Sequence, residues 1–393
     1  MRTPGASKRK RSRSQIIRTF ATTTNALLEL RDWLVAEKVT LVVMEATGDY
    51  WRGAFYLLED HLNVILVNAS HVKGLSGRKT DVSDAAWLCQ LGECGLVRAS
   101  FVPPEPIRHL RDLTRYRTTL TTERTRETQR LEKELEDAGI KLSGVASDLL
   151  GKSGRRMLAA LIDGEHDAEV LADMALRRMR SKIPQLTEAL TGNFGEHHGF
   201  LCRLHLERID QLSAAIAELS ARIEEQMRPF SRQIDLLETI PSVGRGVAEV
   251  FIAESGGDMR RFPTAGHFAS WAGVCPGHHE SAGKQRSGKT RHGNTWLGGA
   301  LGIAAMAAGH TTDTYLAARY RRLRPRLGTK KTIVAIQHSI VIAAWHMLTD
   351  DTGYQDLGGD YFTRLDPERA MRRIVRQANA LGFTVRFDPL AAI

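Results

Sequence analysis

Apolar and polar positions follow a strand–helix rhythm in the first third of the chain. Two short apolar runs, residues 39–45 and 63–69, flank a helical pattern over WRGAFYLLED, and a further helix is predicted to begin at Asp81. Such alternation is typical of βαβ units in a parallel sheet, whose functional edge lies at the strand ends. Glu45 closes the first run. We therefore expect an α/β unit over residues 17–104.

The pattern becomes helical and highly charged over residues 105–234. ERTRETQRLEKELEDAG predicts a long surface helix carrying charges of both signs. Further on, apolar residues alternate spacings of three and four, which indicates a coiled-coil arm or a dimer contact, although an ordinary bundle helix has the same pattern. Residues 150–196 are interpreted as a small helical insertion. The apolar positions of this seam are Ile209, Leu212, Ile216, Leu219 and Ile223.

Residues 235–350 are expected to form a second, mainly helical globular unit. It opens with LLETIPSVGRGVAEV, which has the form of a helix-hairpin-helix, with Pro241 and Gly244 shaping the hairpin. The first residues of the second helix are predicted to be Gly244, Arg245 and Gly246. Their free N–H groups could bind a nucleic-acid phosphate. An ordinary helix–turn–helix connection would look the same. Residues 351–393 are interpreted as a polar C-terminal tail.

Positive charge is concentrated in one segment. The chain carries a formal net charge of +10, and residues 281–335 contain eleven Lys and Arg against a single acid, Asp313. A solvated surface would mix the signs, so this segment indicates a polyanion site. The cations predicted to bind nucleic acid are Lys284, Arg286, Lys289, Arg291, Arg321, Arg322, Arg324, Lys330 and Lys331.

Composition also indicates the compartment. The four cysteines show no paired framework, which fits a reducing cytosol. The basic leader, residues 1–16, is predicted to be disordered and without sheet, and no apolar run follows it as a signal peptide requires. No stretch of about 18 apolar residues is present, so we expect no membrane span. These observations predict a cytoplasmic protein.

Two sets of residues could carry chemistry. Asp81 and Asp84 share one helix face, where they could cap the helix and support its first turn or hold a divalent cation. Ser281 lies in a loop rich in Gly and cations, and a serine hydroxyl can attack a phosphodiester where cations stabilise the developing charge.

The loop allows two other interpretations. GKQRSGKT, residues 283–290, matches a phosphate loop in form, but no predicted strand leads into it. Cys275, His278 and His279 could hold zinc with His292, although their spacing is irregular.

Four strings resemble the DEDD-type insertion-sequence transposases, serine-dependent recombinases guided by a bridge RNA. They are MEATGDYW (44–51), VNASHVKGLSGRKTDVSDA (67–85), TIPSVGRGVAEV (239–250) and FASWAGVCPGHHESAGKQRSGKTRHGN (268–294). The resemblance implies a RuvC-like domain of RNase H fold, a helical arm, and a transposase domain with Ser281 as nucleophile. Glu45, Asp81 and Asp84 would bind Mg²⁺. Element-end and target DNA, a guide RNA and a homodimer or homotetramer are the implied partners.

The chain departs from this family at its start. The family begins with a short strand that carries its first acid in a Gly-x-Asp setting, whereas no aspartate precedes Asp32 here, and Asp32 lies in the helical pattern NALLELRDWL. We therefore expect a RuvC-like domain that is incomplete at its N-terminus. The resulting alternatives are an active DNA recombinase or a catalytically impaired, truncated transposase that only binds nucleic acid.

Overall fold

The chain divides into an N-terminal unit, Met1–Pro104, and a C-terminal unit, Glu105–Ile393. The structure is a computed structural model that describes residues 2–4, 13–69, 72, 80–277 and 279–388. Helices make up most of the described residues, with a small parallel sheet in the N-terminal unit.

The leader contains two short strands. Strand β1 (Arg2–Pro4) pairs with strand β2 (Arg13–Gln15) in an antiparallel register that places Arg2 opposite Gln15. The prediction of a leader without sheet is therefore wrong at these positions; residues 5–12 lie outside the described part. The physical reason is that pairing uses backbone N–H and C=O groups, so a polar composition without apolar alternation does not prevent it.

The predicted βαβ unit is confirmed as a parallel strand pair. Strand β3 (Val42–Ala46) pairs with strand β4 (Val64–Asn68), and the register sets Glu45 opposite Val67. Helix α1 (Thr24–Ala36) precedes the pair and helix α2 (Trp51–Leu58) connects the two strands. Glu45 is consequently the penultimate residue of β3, at the carboxyl edge where the sequence analysis expected it.

Helix α3 (Asp81–Glu93) packs closely on β3. A Cβ atom added at Gly92 would lie 2.7 Å from Cγ2 of Val43, so only glycine permits this approach. The indole Nε1 of Trp87 donates to the carbonyl oxygen of Val72 at 2.9 Å, which ties the same helix to the segment before it. Both contacts fix where α3 presents its first turn.

Two long helices form the arm of the C-terminal unit. Helix α4 (Glu105–Asp137) packs along helix α9 (Glu196–Met227), and short helices fill the connection between them. Leu131, Leu142 and Ile209 belong to one buried core at this connection. The connecting helices are α5 (Leu142–Val145), α6 (Lys152–Ile162), α7 (Ala168–Asp173) and α8 (Ile183–Leu190).

The heptad seam of α9 is used within the chain. Ile209, Leu212 and Ile223 are buried, and α9 packs on α4 of the same chain. The predicted coiled-coil arm is thus a helix pair within one chain, in which Ile216 and Leu219 of the seam stay half-buried.

A second core gathers the base of the arm and the helices after residue 230. It contains Ile107 of α4 and Ile223 of α9 together with apolar residues of the later helices. Helix α11 (Arg245–Ser255) is central, since Ala248–Ser255 are all buried. The later helices are α10 (Ser231–Glu238), α11 (Arg245–Ser255), α12 (Ala265–Ala272), α13 (Thr295–Ala308), α14 (Tyr315–Asp350), α15 (Tyr361–Leu365) and α16 (Pro367–Ala380).

One helix of the described residues, α14, contains an 18-residue window that is long and apolar enough to cross a membrane by length and composition. This corrects the expectation that no such stretch exists. Ile336, Ile340 and Ala344 from this part of α14 are buried in the second core. A core helix passes the same test, so the window by itself does not indicate a membrane span.

Candidate functional site

Asp81 and Asp84 occupy the first turn of α3, but neither is its cap. Thr80 is the N-cap: its Oγ1 accepts from the Ser83 amide at 3.2 Å, and Ser83 Oγ accepts from the Thr80 amide at 3.1 Å. The interpretation of Asp81 as the cap is therefore wrong, because this reciprocal capping box already satisfies the helix start. Asp81 is exposed and Asp84 half-buried, so both carboxylates remain at the positive end of the helix dipole.

The three predicted metal ligands do not form a ready cation site. Glu45 is half-buried near the end of β3, while the two aspartates begin α3. Within the described ranges, no group of three or more His, Cys, Asp or Glu side chains is placed to hold a metal ion. Residues 73–79, which lead toward α3, lie outside those ranges.

The loop that carries Ser281 is closed tightly at its base. We call residues 273–294 the serine loop. A Cβ added at Gly273, whose φ is +78°, would lie 2.6 Å from the Cα of Gly293, and the Gly277 amide donates to the Lys289 carbonyl oxygen at 3.2 Å. Arg291 donates to Ser270 Oγ at 2.5 Å. These contacts hold the two ends of the loop together.

Ser281 lies at the tip of a β-hairpin inside this loop. Strand β5 (His279–Ser281) pairs with strand β6 (Lys284–Ser287), with Ser281 directly opposite Lys284. The two turn residues, Ala282 and Gly283, have φ values of +52° and +72°, as in a type I′ turn. Alanine in the left-handed region is strained, and such strain clusters at functional sites.

The cations of the serine loop differ in their surroundings. Lys284 and Lys289 are exposed, whereas Arg291 is held by Ser270 at the loop base. The side chain of Arg286 lies outside the described part of the structure. Burial raises the pKa of the Cys275 thiol at the start of the loop, while the charge of Arg291 acts in the opposite direction.

The hairpin bears on the two other interpretations of this loop. GKQRSGKT begins in the turn and runs through β6, so it does not connect a strand to a helix as a phosphate loop does. For zinc, His278 and the side chain of His279 lie outside the described residues. The described side chains of the loop contain no group of three metal ligands.

The α10–α11 connection has the outline that the sequence predicted. It turns through Ser242, whose φ is +78°, and α11 begins at the N-cap Gly244. Gly244, Arg245 and Gly246 are exposed, so backbone N–H groups of the first turn face solvent. Arg245 also pairs with Glu249 at 3.3 Å and with Glu238 at 3.7 Å.

The second group of cations in the predicted basic segment, residues 281–335, lies in the first half of α14. All five of its predicted nucleic-acid-binding cations are exposed, and Arg322 lies 4.5 Å from the centre of the Phe362 ring. The helix is interrupted at Gly328, whose φ and ψ are +74° and 167°, shortly after Pro325. The five cations are Arg321, Arg322, Arg324, Lys330 and Lys331.

A buried polar network behind the serine loop escaped the sequence analysis. The Glu254 side chain is fully buried in α11 and accepts from Arg115 Nε and Nη2 at 2.7 and 2.8 Å. Asn294, the last residue of the serine loop, donates from Nδ2 to Glu254 Oε2 at 2.6 Å. An acid inside the apolar run VAEVFIAES was the available signal, because a carboxylate there must find partners.

Comparison with known protein families identifies the class of protein to which this chain belongs. A family model for the IS110-type DEDD transposase, described as a transposase, matches residues 8–140, and a second model, "Transposase IS116/IS110/IS902 family", matches residues 234–321. The first match contains Glu45, Asp81 and Asp84, and the second contains Ser281. Both models describe transposases, and together they cover more than half of the chain. The chain is a transposase of the IS110/IS116 family.

Two curated relatives agree with this assignment. A protein of Pseudomonas aeruginosa described as a probable family 20 transposase is 26% identical over 332 residues, which are 83% of this chain and 89% of the relative. A Sinorhizobium fredii protein described as the transposase y4pF/y4sB is 28% identical over 168 residues, 40% of this chain and 42% of the relative.

Proposed function

We propose that the chain cleaves and rejoins DNA at the ends of its insertion sequence, with Ser281 as the nucleophile. The observation that carries the proposal is the position of Ser281: it is exposed at a hairpin tip, next to a strained turn residue and opposite Lys284. The family match makes DNA the substrate class. An exposed tip lets the hydroxyl reach a phosphodiester on a duplex surface.

In the proposed reaction Ser281 Oγ attacks the phosphorus of a DNA phosphodiester. The new Oγ–P bond forms as the bond from phosphorus to one deoxyribose oxygen breaks, and that oxygen leaves as a hydroxyl after taking a proton. The serine proton passes to water. Lys284 and Lys289 lower the energy of the extra negative charge in the transition state. Attack by another strand's hydroxyl on the phosphoserine reverses the step and joins the strands.

We further propose that Glu45, Asp81 and Asp84 are oxygen ligands for Mg²⁺. Carboxylates are the donors that Mg²⁺ prefers, and the metal would supply charge stabilisation at a phosphate. The described residues hold no three-ligand group, so this proposal rests on residue chemistry and the DEDD family match. An RNase H-like, RuvC-type fold for the N-terminal unit belongs to the same proposal and is supported by the parallel β3–β4 pair.

Nucleic-acid contacts are proposed for three surfaces of the C-terminal unit. They are the start of α11 at Gly244, Arg245 and Gly246, acting as a helix-hairpin-helix, the cations of the serine loop, and the exposed cations of α14. Exposed cations and free helix N–H groups bind phosphates without reading bases, which suits a protein whose sequence choice comes from a guide RNA. A homo-oligomer acting in the cytoplasm completes the proposal.

The test is a covalent adduct between the protein and DNA that carries the element ends, in the presence of Mg²⁺ and the element's RNA. We expect a denaturant-resistant adduct with the wild-type chain, loss of the adduct in Ser281→Ala, and retention in Ser287→Ala, a serine of the same hairpin. DNA binding should persist in both variants. An adduct that survives Ser281→Ala would refute the nucleophile, and wild-type binding without any adduct would favour the binding-only alternative.

A further inference from the structure

Glu254 connects three elements through one fully buried carboxylate. Arg115 of α4 binds both of its oxygens, at 2.7 and 2.8 Å, and Asn294 binds Oε2 at 2.6 Å. Arg111, also on α4, donates from Nε to the Ala253 carbonyl oxygen at 3.0 Å. The end of α11, the arm and the end of the serine loop are therefore joined at a single point.

Asn294 serves two structures with its two amide atoms. Its Oδ1 accepts from the amides of Trp296 and Leu297, at 3.1 and 3.0 Å, and so caps α13. Its Nδ2 is the donor to Glu254. The capping half of this side chain needs only an acceptor, which Ser or Asp could supply equally well. The Nδ2 contact is the additional function that asparagine provides.

The position of Asn294 makes this contact matter for Ser281. Gly293, the preceding residue, closes the loop base against Gly273, and the hairpin with Ser281 emerges from that base. Arg115 also contacts the residues that directly follow the serine loop. Its guanidinium lies 5.7 Å from the centre of the Trp296 ring in the first turn of α13. A shift at Asn294 would move the whole hairpin.

A buried ion-pair network is not needed for stability as such. Replacing a buried ion pair by apolar residues of similar size is often neutral or stabilising, whereas a buried charge that loses a partner is costly. A hydrogen-bonded network, unlike an apolar contact, is satisfied in only one arrangement of its side chains. A reactive group needs neighbouring residues that are fixed in this way.

We propose that Glu254 and Asn294 are positioning residues that hold the serine loop in register for attack by Ser281. The catalytic part of this inference rests on the proposed function of Ser281, whereas the anchoring of the serine loop by Glu254 and Asn294 does not. Reactions that depend on near-attack geometry lose about 100-fold in rate when a group is misplaced by about 1 Å. The expected loss on breaking the Glu254–Asn294 contact is therefore an adduct formation slower by roughly 10- to 100-fold.

The sharpest test exchanges donor and acceptor. Asn294→Asp keeps the α13 cap but sets two carboxylates against each other, so adduct formation at saturating DNA should slow by roughly 10- to 100-fold. In the double variant Glu254→Gln with Asn294→Asp, the glutamine amide donates to the carboxylate introduced at position 294 and its Oε1 still accepts from Arg115 Nε, while Arg115 Nη2 loses its acceptor at the former Oε2 position. The rate should then recover in part and exceed that of Asn294→Asp alone. A structural role alone would lower the free energy of unfolding in Asn294→Asp without slowing adduct formation at a temperature where the variant is folded.

Glu127→Gln is the matched control. Glu127 is another buried carboxylate of the arm, bound by His205 at 2.6 Å and by Arg130 at 2.5 Å, and it is not part of the serine loop network. Its replacement should leave the rate unchanged at a temperature where all variants are folded. A loss in Glu127→Gln equal to that in Asn294→Asp would overturn the positioning role.

Amide hydrogen exchange separates this inference from the proposed function. Residues 273–294 should exchange faster in Asn294→Asp than in wild type and return toward wild type in the double variant, whether or not the chain makes an adduct. Unchanged exchange in Asn294→Asp would refute the anchor itself. Faster exchange in Asn294→Asp, combined with a wild-type chain that forms no adduct, would keep the anchor and reject its catalytic purpose together with the proposed function.

Discussion

Ala282 is one of six non-glycine residues in the described part of the chain that have a positive φ. Its φ of +52° lies in the left-handed region, and the neighbouring Gly283 has a φ of +72°. For an L-residue with a Cβ this region costs about 1–2 kcal/mol, while glycine enters it freely. The strain lies between Ser281 and Lys284, at the point where the proposed chemistry takes place.

Ala282→Gly should therefore stabilise the hairpin by about 0.5–1 kcal/mol, because the strain is removed and part of the gain is offset by unfolded-state entropy. Slower amide exchange of β5 and β6 would show this gain. Gly283→Ala is the opposite change, since a Cβ there meets no atom within 4 Å and adds only backbone strain. Faster exchange in Ala282→Gly, or slower exchange in Gly283→Ala, would contradict the prediction.

At this scale the sequence indicates candidate residues but not the side chains that contact them. Ser281 is a candidate because it lies among cations, and its role as nucleophile, which the family resemblance implies, stays a prediction. Thr80 was overlooked as the cap of α3 because its partner is Ser83, whereas the familiar capping box has Glu or Gln at that position. Glu254 and Asn294 lie 40 positions apart, and no local pattern indicates that they meet.

Helix α3 carries two proposed metal ligands, and Gly92 near its other end sets how closely it packs on β3. Gly92→Ala would force the helix or Val43 to move, since the added Cβ would lie 2.7 Å from Val43 Cγ2. We expect a destabilisation of about 1–3 kcal/mol, as for other overpacked sites. Pulse proteolysis of the full chain in urea measures it.

Gly53→Ala on α2 is the control for that prediction. Gly53 lies inside a helix with no atom within 4 Å of its added Cβ, so alanine should stabilise the chain by about 0.5–1 kcal/mol through helix propensity. Equal losses in the Gly53 and Gly92 variants would mean that close packing on β3 is not the cause.

Apolar patterning accounts for only part of the elements that were predicted. β3 and β4 follow apolar runs and α9 follows an apolar period, whereas α3 and α4 were predicted from their charged residues. β5 and β6 have three and four residues of mostly polar character, so no alternation marks them. Helix α16 lies in the segment interpreted as a tail, although Asp366, which accepts from the Arg369 amide at 3.0 Å, and Pro367 mark its start.

At the scale of the whole molecule, we expect DNA binding to depend more on where the positive charges lie than on the total net charge. Arg324, Lys330 and Lys331 are exposed on α14, close to the interruption at Gly328. If each neutralises one phosphate, replacing all three by alanine should lower the slope of log K against log salt concentration by about 3 for duplex DNA. Fluorescence anisotropy titrations between low and moderate salt measure this slope.

The matched variant removes the same charge elsewhere. Arg369, Arg372 and Arg373 are exposed on α16, and their replacement by alanine lowers the net charge of the chain equally. We expect the slope to stay near that of wild type. If both triple variants reduce the slope alike, DNA responds to total charge and the α14 segment has no special role.

The interruption of α14 changes the direction of the helix. Gly328 adopts a φ of +74° and a ψ of 167°, a combination that is essentially open to glycine alone. Leu316 before the interruption and Ile336 after it both belong to the same core, so each part of α14 is anchored separately. The exposed cations from Arg321 to Lys331 therefore lie on a bend whose two ends are both fixed, so the change of direction at Gly328 sets the shape of the surface that they form.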